Sequence, residues 1–84
     1  MEENKATEKE IDRDRDYITD AAIVRIMKAS KERSHEELLV ETIKAVEISF
    51  KLQPRFFKKR VDALIGQEYM SRDENDLNLY HYVA

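Results

Sequence analysis

Tyr69-Met70-Ser71-Arg72-Asp73-Glu74-Asn75-Asp76-Leu77-Asn78-Leu79-Tyr80-His81-Tyr82-Val83 holds two short alternating segments around a polar tip. Period-two alternation on both sides of a turn-forming stretch predicts a β-hairpin. Three segments with helical spacing precede it, so the hairpin comes after helices. Helix, helix, helix, hairpin is the order of a winged helix: an α+β fold, mostly α, with a three-helix core and a C-terminal β-hairpin wing.

The three helices are read outward from that hairpin. Residues 54–65 form the third. Pro54 suits a first helical position, where its missing N–H costs nothing. Phe57, Val61, Leu64 and Ile65 give this helix its buried face, and Gly66 suits its C-terminal end. Ile48, Phe50 and Leu52 alternate before it and predict an extended link pinned by apolar side chains. The second helix opens at Ser34, with Glu37 three residues on, a capping-box spacing. Leu39, Thr42, Ile43 and Val46 then face the core, with Leu38 at the border. Residues 31–33 are a short link.

The first helix proper covers residues 17–30. Ile18, Ala22, Ile26 and Ala29 fix its apolar side, widened by Ile23 and Met27. At about 100° per residue, Lys28 falls about 200° from the middle of that arc and stands in water. Val24 and Ala21 lie on the same outward side. Lys28 and Lys31 put positive charge at the helix C-terminus, where the dipole favours it. Residues 1–16 are read as a charged lead-in or linker, able to lengthen this helix backwards through opposite-sign pairs. Residues 17–84 form the domain.

Composition removes several function classes. The chain has 84 residues, one Gly, one Pro, no Cys and a formal net charge of -3, with 39% of residues charged. Without cysteine there is no disulfide framework, thiolate zinc site or catalytic thiol. His35 and His81 are far apart in sequence, so no metal site and no cofactor are expected. No apolar run reaches the roughly 18 residues that span a bilayer, and Met1-Glu2-Glu3-Asn4-Lys5 lacks the apolar stretch of a secretory signal. No phosphate-binding glycine loop and no Ser-His-Asp arrangement is present. The chain is therefore expected not to be an enzyme. Tyr69, Tyr80 and Tyr82 are assigned to packing between wing and core.

One string carries more than a fold. Asp16-Tyr17-Ile18-Thr19-Asp20-Ala21-Ala22-Ile23-Val24-Arg25-Ile26-Met27-Lys28 closely resembles the neddylation segment of cullins, the scaffolds of multisubunit ubiquitin ligases. Ser34-His35 with Leu38-Leu39, Lys58-Lys59-Arg60-Val61-Asp62, Glu68-Tyr69-Met70-Ser71-Arg72-Asp73 and Tyr80-His81-Tyr82-Val83-Ala84 continue the resemblance in order. Ser30 and Arg33 depart from it, standing where many cullins have a basic and an apolar residue; the departure bears on a short first strand. The resemblance implies that Lys28 accepts a ubiquitin-like modifier through an isopeptide bond. It implies a conjugating enzyme and a RING subunit as partners, and residence in cytoplasm and nucleus. Ala21, Val24 and Arg25 are then expected contacts for the modifier or its enzymes.

Two rival classes are weighed against this. Winged helices commonly place the third helix in the DNA major groove, and Arg55, Lys58, Lys59 and Arg60 offer charge there. However, Asp62 is spaced to pair with Lys58 or Lys59. The wing tip carries Asp73, Glu74 and Asp76, which repel phosphate, and the acidic balance argues against nucleic acid. In the second alternative, a plain protein-interaction domain, Lys28 is only a helix C-terminal cation. Since no base or thiol accompanies Lys28, the chain itself is expected to be a substrate, with the activating environment brought by the conjugating enzyme.

Overall fold

A computed structural model describes residues 2–83, with side chains from residue 14 onward. The elements are α1 (Glu2–Ser30), β1 (Glu32–Ser34), α2 (His35–Val46), α3 (Pro54–Gly66), β2 (Met70–Arg72) and β3 (Leu79–Tyr82). This is the expected winged helix. α1 is assigned from Glu2, ahead of the apolar pattern at Tyr17. No Gly or Pro interrupts the sequence before Lys31. Side chains of residues 1–13, most of the charged lead-in, lie outside the described residues, as does Ala84 of the terminal motif.

The wing is one strand larger than the hairpin pattern. Residues 31–33, read as a link, instead lead into β1, and the sheet order is β1-β3-β2, antiparallel throughout. Three residues are too few to show a period, so β1 exists because β3 offers it a free edge. It forms despite the departures at Ser30 and Arg33. The Ser30 hydroxyl donates to the Ile26 carbonyl at 2.7 Å, and Arg33 Nε donates to Glu41 Oε1 at 2.8 Å, tying β1 to α2.

The core draws on five of the six elements, all but β1. Ala22, Ile23 and Met27 of α1, Leu38 and Val46 of α2, Leu52, Phe57, Val61 and Leu64 around α3, and Met70 and Tyr80 of the sheet are buried together. Two helix faces are rotated from their sequence expectation. On α1 the buried line is Thr19, Ile23 and Met27, while Ile18 and Ile26 are half-buried and Ala29 is exposed. On α2 the centre is Leu38, Thr42 and Val46, with Leu39 and Ile43 at its edge. In both cases a threonine occupies the middle of the apolar face. The Thr42 hydroxyl donates to the Leu38 carbonyl at 2.6 Å, which removes the polar penalty.

The Thr19 hydroxyl is buried without a hydrogen-bond partner. An unpaired buried hydroxyl costs about 1–3 kcal/mol. Thr19→Val keeps the branched shape and removes that cost. It is expected to raise the unfolding free energy by about 1 kcal/mol, read as a higher urea midpoint at unchanged slope. A lower midpoint would show that the hydroxyl has an unseen partner.

Local chain geometry explains the remaining joints. The Ser34 capping box is complete: its Oγ accepts from Glu37 N–H at 3.2 Å, and Glu37 Oε1 accepts from Ser34 N–H at 3.2 Å. After α2 the chain turns through residues 47–49. Ile48 is 96% exposed there, so it does not pin the link as alternation suggested; only Leu52 is buried, with Phe50 half-buried. Gly66 ends α3 but is not in the left-handed region. That conformation falls to Glu68, at φ 66°. Glu68 N–H donates to Ile65 O and Tyr69 N–H to Leu64 O, both at 3.0 Å, the paired bonds of a Schellman termination. Tyr69 is thereby turned outward and is 48% exposed, whereas Tyr80 is buried and Tyr82 half-buried.

Candidate functional site

Lys28 lies in the last turn of α1. Its neighbour Met27 is 1% exposed, and Ile23, one turn earlier, is 0% exposed. The helix stops immediately afterwards, because Lys31 takes a left-handed φ of 72° and its N–H donates to Met27 O at 2.7 Å. Tyr82 N–H then donates to Lys31 O at 2.8 Å, clamping the helix end to the sheet. The Lys28 backbone is therefore held on three sides, while its side chain is exposed.

The two lysines at this end differ. Lys31 Nζ sits 5.1 Å from the centroid of the Tyr82 ring, a cation–π contact that holds the ammonium against the sheet. Lys28 has no ion-pair or ring partner among the described residues. Its four-carbon stem is free to reach outward.

On the outward side, Tyr17, Ala21, Val24 and Lys28 follow one another at helical spacing and form one ridge. Tyr17 is 76% exposed. Val24, expected to be exposed, is half-buried and packs against the core; the C-terminal end of α3 reaches under it. A groove of about 290 Å³ runs beside this ridge, lined by Tyr17, Asp20, Ala21, Val24, Leu64, Gln67 and Tyr69. Arg25 is exposed on the other flank, where it joins Ile26, Ala29, Ser30, Arg33 and Glu41 around a second hollow. The structure thus brings Lys28, Val24 and Ala21 to one ridge and puts Arg25 beside it. Sequence reasoning missed Gln67 and Tyr69 as groove walls, because nothing local aims α3's terminal turn at α1.

A brace fixes α1 against α3 along this groove. Arg60 Nε and Nη2 donate to Asp20 Oδ1 and Oδ2 at 2.8 and 2.7 Å, and Asp16 approaches at 3.6 Å. The hydrogen bonds that the guanidinium donates to Asp20 are the main reason the Arg60 pKa is raised. Arg60 therefore belongs to the fold and leaves the cationic face of α3 to Arg55, Lys58 and Lys59, all exposed. Asp62, spaced for Lys58 or Lys59, instead accepts from Arg72 Nη2 at 2.6 Å. A charge-assisted hydrogen bond to a tertiary partner wins over flexible lysines on the same helix.

His81 is a bridge within the sheet. Its Nε2 lies 2.8 Å from Asp73 Oδ1 and its Nδ1 lies 3.4 Å from Glu32 Oε2. The carboxylates sit at opposite ring nitrogens, and among the described residues no group of three His, Cys, Asp or Glu is assembled to hold a metal. The hydrogen bond to His81 is the first reason the Asp73 carboxyl titrates below the usual 3.8; the Asn75 and Asp76 N–H groups add to it. A depressed folded pKa contributes stability above the unfolded value, and that stability is lost as pH falls through the folded value. The wing is thus expected to loosen below about pH 4. Amide exchange at residues 79–82 should rise in that window, and Asp73→Asn should flatten the dependence. An unchanged profile in the variant would refute this assignment.

A family model described as "Cullin protein neddylation domain" matches residues 14–76. Human Cullin-4A is 43% identical over 84 residues, 100% of this chain and 11% of its own length. Cullin-4 of Caenorhabditis elegans is 42% identical over the same span, 10% of its length, and putative cullin-like protein 1 of Arabidopsis thaliana 39%, 12% of its length. The chain spans about a tenth of the length of these curated relatives. A chain of the solved structure "A Dual E3 Mechanism for Rub1 Ligation to Cdc53: Dcn1(P)-Cdc53(WHB)" matches with a TM-score of 0.89 at 33% identity, covering 98% of this chain and 94% of that chain. With this fold, and with a family match over most of its length, the chain belongs to the cullin neddylation domains.

Proposed function

We propose that Lys28 is the acceptor for a ubiquitin-like modifier and that the domain acts as a substrate and scaffold, not as an enzyme. The observation that carries this is the contrast at the end of α1. Lys28 extends freely from a backbone fixed by Ile23, Met27 and the sheet, while Lys31 is held on Tyr82. In the reaction, the deprotonated Lys28 Nζ attacks the thioester carbonyl that joins the modifier's C-terminal glycine to a cysteine of the conjugating enzyme. The carbon–sulfur bond breaks, the thiolate leaves and takes up the proton that the amine nitrogen loses, and an isopeptide bond forms. Among the described residues no base is paired with Lys28, so the enzyme must supply desolvation and orientation. The domain supplies position, which depends on the rigid helix end.

The ridge of Ala21 and Val24, with Arg25 beside it, is the proposed contact surface for that machinery. The similar Cdc53 structure concerns Rub1 ligation and Dcn1; by likeness, an E3 of the Dcn1 kind is proposed here, together with a RING subunit and a conjugating enzyme. In the intact scaffold, residues 1–16 would serve as connector to residues 17–84. Attachment at Lys28 would activate the ligase by favouring a released position of the domain, a population shift that needs differential contacts in the two positions.

The test is a reconstituted conjugation reaction on the 84-residue chain, with the modified lysine mapped by mass spectrometry. A single isopeptide on Lys28 is expected. A tag on Lys31, or spread over the α3 lysines, would overturn the assignment.

A further inference from the structure

The far end of the molecule carries a second surface that the acceptor site does not use. Arg15 lies thirteen residues before Lys28 on α1, about 20 Å along the helix axis. There it meets the segment that enters α3. Phe50 and Phe56 are half-buried and pack edge to face, with centroids 6.3 Å apart at 85°. The Arg15 guanidinium sits 5.2 Å over the Phe50 ring. Arg15, Phe50, Lys51, Gln53 and Phe56 line a cavity of about 230 Å³. Among the described residues its wall has two cations, two aromatic rings and no carboxylate.

The cavity also gathers cations without ion-pair partners among the described residues. Arg33, Arg60 and Arg72 all hold carboxylates. Among the described residues Arg15, Lys51, Arg55 and Lys59 hold none. The chain as a whole is acidic, with a net charge of -3, so cations left over around an aromatic hollow are against its average. Arg55 and Lys59 are four residues apart on α3, and Lys59 is three from Phe56, so all three share one flank of the helix.

We propose that this cavity docks an acidic peptide segment that lays one apolar side chain in the hollow against Phe50 and Phe56, while its carboxylates meet Arg15, Lys51, Arg55 and Lys59. The two features require different halves of the same partner. The rings favour an apolar anchor, whose burial supplies most of the affinity. The cations select acidic flanks and speed the encounter. Nucleic acid would satisfy the cations but leaves the hollow empty, since phosphates carry nothing apolar to fill it.

The experiment is a titration of the ¹⁵N-labelled 84-residue chain with a synthetic ten-residue peptide of aspartate and glutamate around a central leucine. Saturable shifts are expected at Arg15, Phe50, Lys51 and Phe56, with none at Lys28 or in the wing. Replacing the central leucine by serine should weaken binding at least about tenfold. The double variant Arg15→Glu/Lys51→Glu, exposed positions that leave the core intact, should weaken it at least about tenfold at low salt with an unchanged melting curve. Equal affinity for the serine peptide would reduce the site to bulk charge and overturn the proposal. So would full binding by the double variant, or tighter binding of a short DNA duplex at the same salt. None of these outcomes touches the Lys28 assignment, which is read by conjugation alone.

Discussion

Lys28→Arg is expected to lower conjugation to the domain by at least about a hundredfold, with no loss of stability. Arginine keeps the positive charge at the helix C-terminus, so the dipole interaction survives. It keeps a long stem of similar reach. What disappears is the nucleophile, because a guanidinium stays protonated above pH 12 and has no free amine pair. The melting curve therefore separates chemistry from folding: it should overlay the wild type while product vanishes. Lys31 is the decisive control, since it lies three residues away in sequence. Its ammonium is held over Tyr82, and its backbone is locked in the left-handed region. Quantitative transfer of the tag to Lys31 in the Lys28→Arg protein would mean that position on the helix does not select the acceptor. Tyr82→Ala releases Lys31, and slow secondary labelling there is expected only in the double variant.

Phe57→Ala should destabilise the domain by about 3–5 kcal/mol, the usual cost of emptying a fully buried phenylalanine site. Phe57 is 0% exposed and stands where α2, α3 and the sheet meet. Its ring packs edge-on against His35 at 5.3 Å and 69°. His35 Nδ1 shares a 2.7 Å hydrogen bond with the Tyr80 hydroxyl, and burial raises the Tyr80 pKa so that the phenol stays protonated. Removing the Phe57 ring leaves a cavity beside this polar pair and admits water to it. Single domains of this size are stable by about 4–13 kcal/mol in all, so the loss is a large fraction of the total and the urea midpoint should fall steeply. Phe57→Leu refills most of the volume and should cost about 1.5 kcal/mol or less. Urea melts of the two variants decide the point; a Phe57→Ala midpoint near that of the wild type would show that the core closes over the gap. Conjugation should fall with the folded fraction in Phe57→Ala and stay near wild type in Phe57→Leu. A conjugation loss in the leucine variant without unfolding would place Phe57 in a functional role that its burial does not support.

Much of the fold was legible because it is encoded locally. The Ser34–Glu37 capping box, Pro54 at the start of α3 and the two alternating segments of the wing each need only a few neighbouring residues. Where several elements compete, local reading loses detail. Leu38 and Leu39 are adjacent and equally apolar, and only the direction from which α1 and the sheet approach puts Leu38 at the centre. Ile48 fits an alternating pattern yet points to solvent, because the turn after α2 sends it away from every neighbour. Gly66 looks like the left-handed residue at the end of α3, but Glu68 takes that conformation, since the chain must travel two residues further before it can turn into β2.

The candidate site divides in the same way. An exposed Lys28 on α1 follows from rotation about one helix, a property of sequence alone. The family resemblance, also carried by sequence, is what assigns it a modifier. The groove beside it is different. Tyr17, Val24, Leu64, Gln67 and Tyr69 come from two helices and a turn, and they meet only because Arg60 holds Asp20 and the chain folds back at Glu68. The same holds for the fate of each cation: Arg60 turns inward, Lys31 is taken by Tyr82, Arg15 lies over Phe50, and Lys28 is left to act outward. Sequence determined which elements form, because propensity, capping and periodicity act over a few residues. Tertiary structure decided which side chains are spent on packing and which remain available, because contacts between distant segments are set by how the elements fill space together.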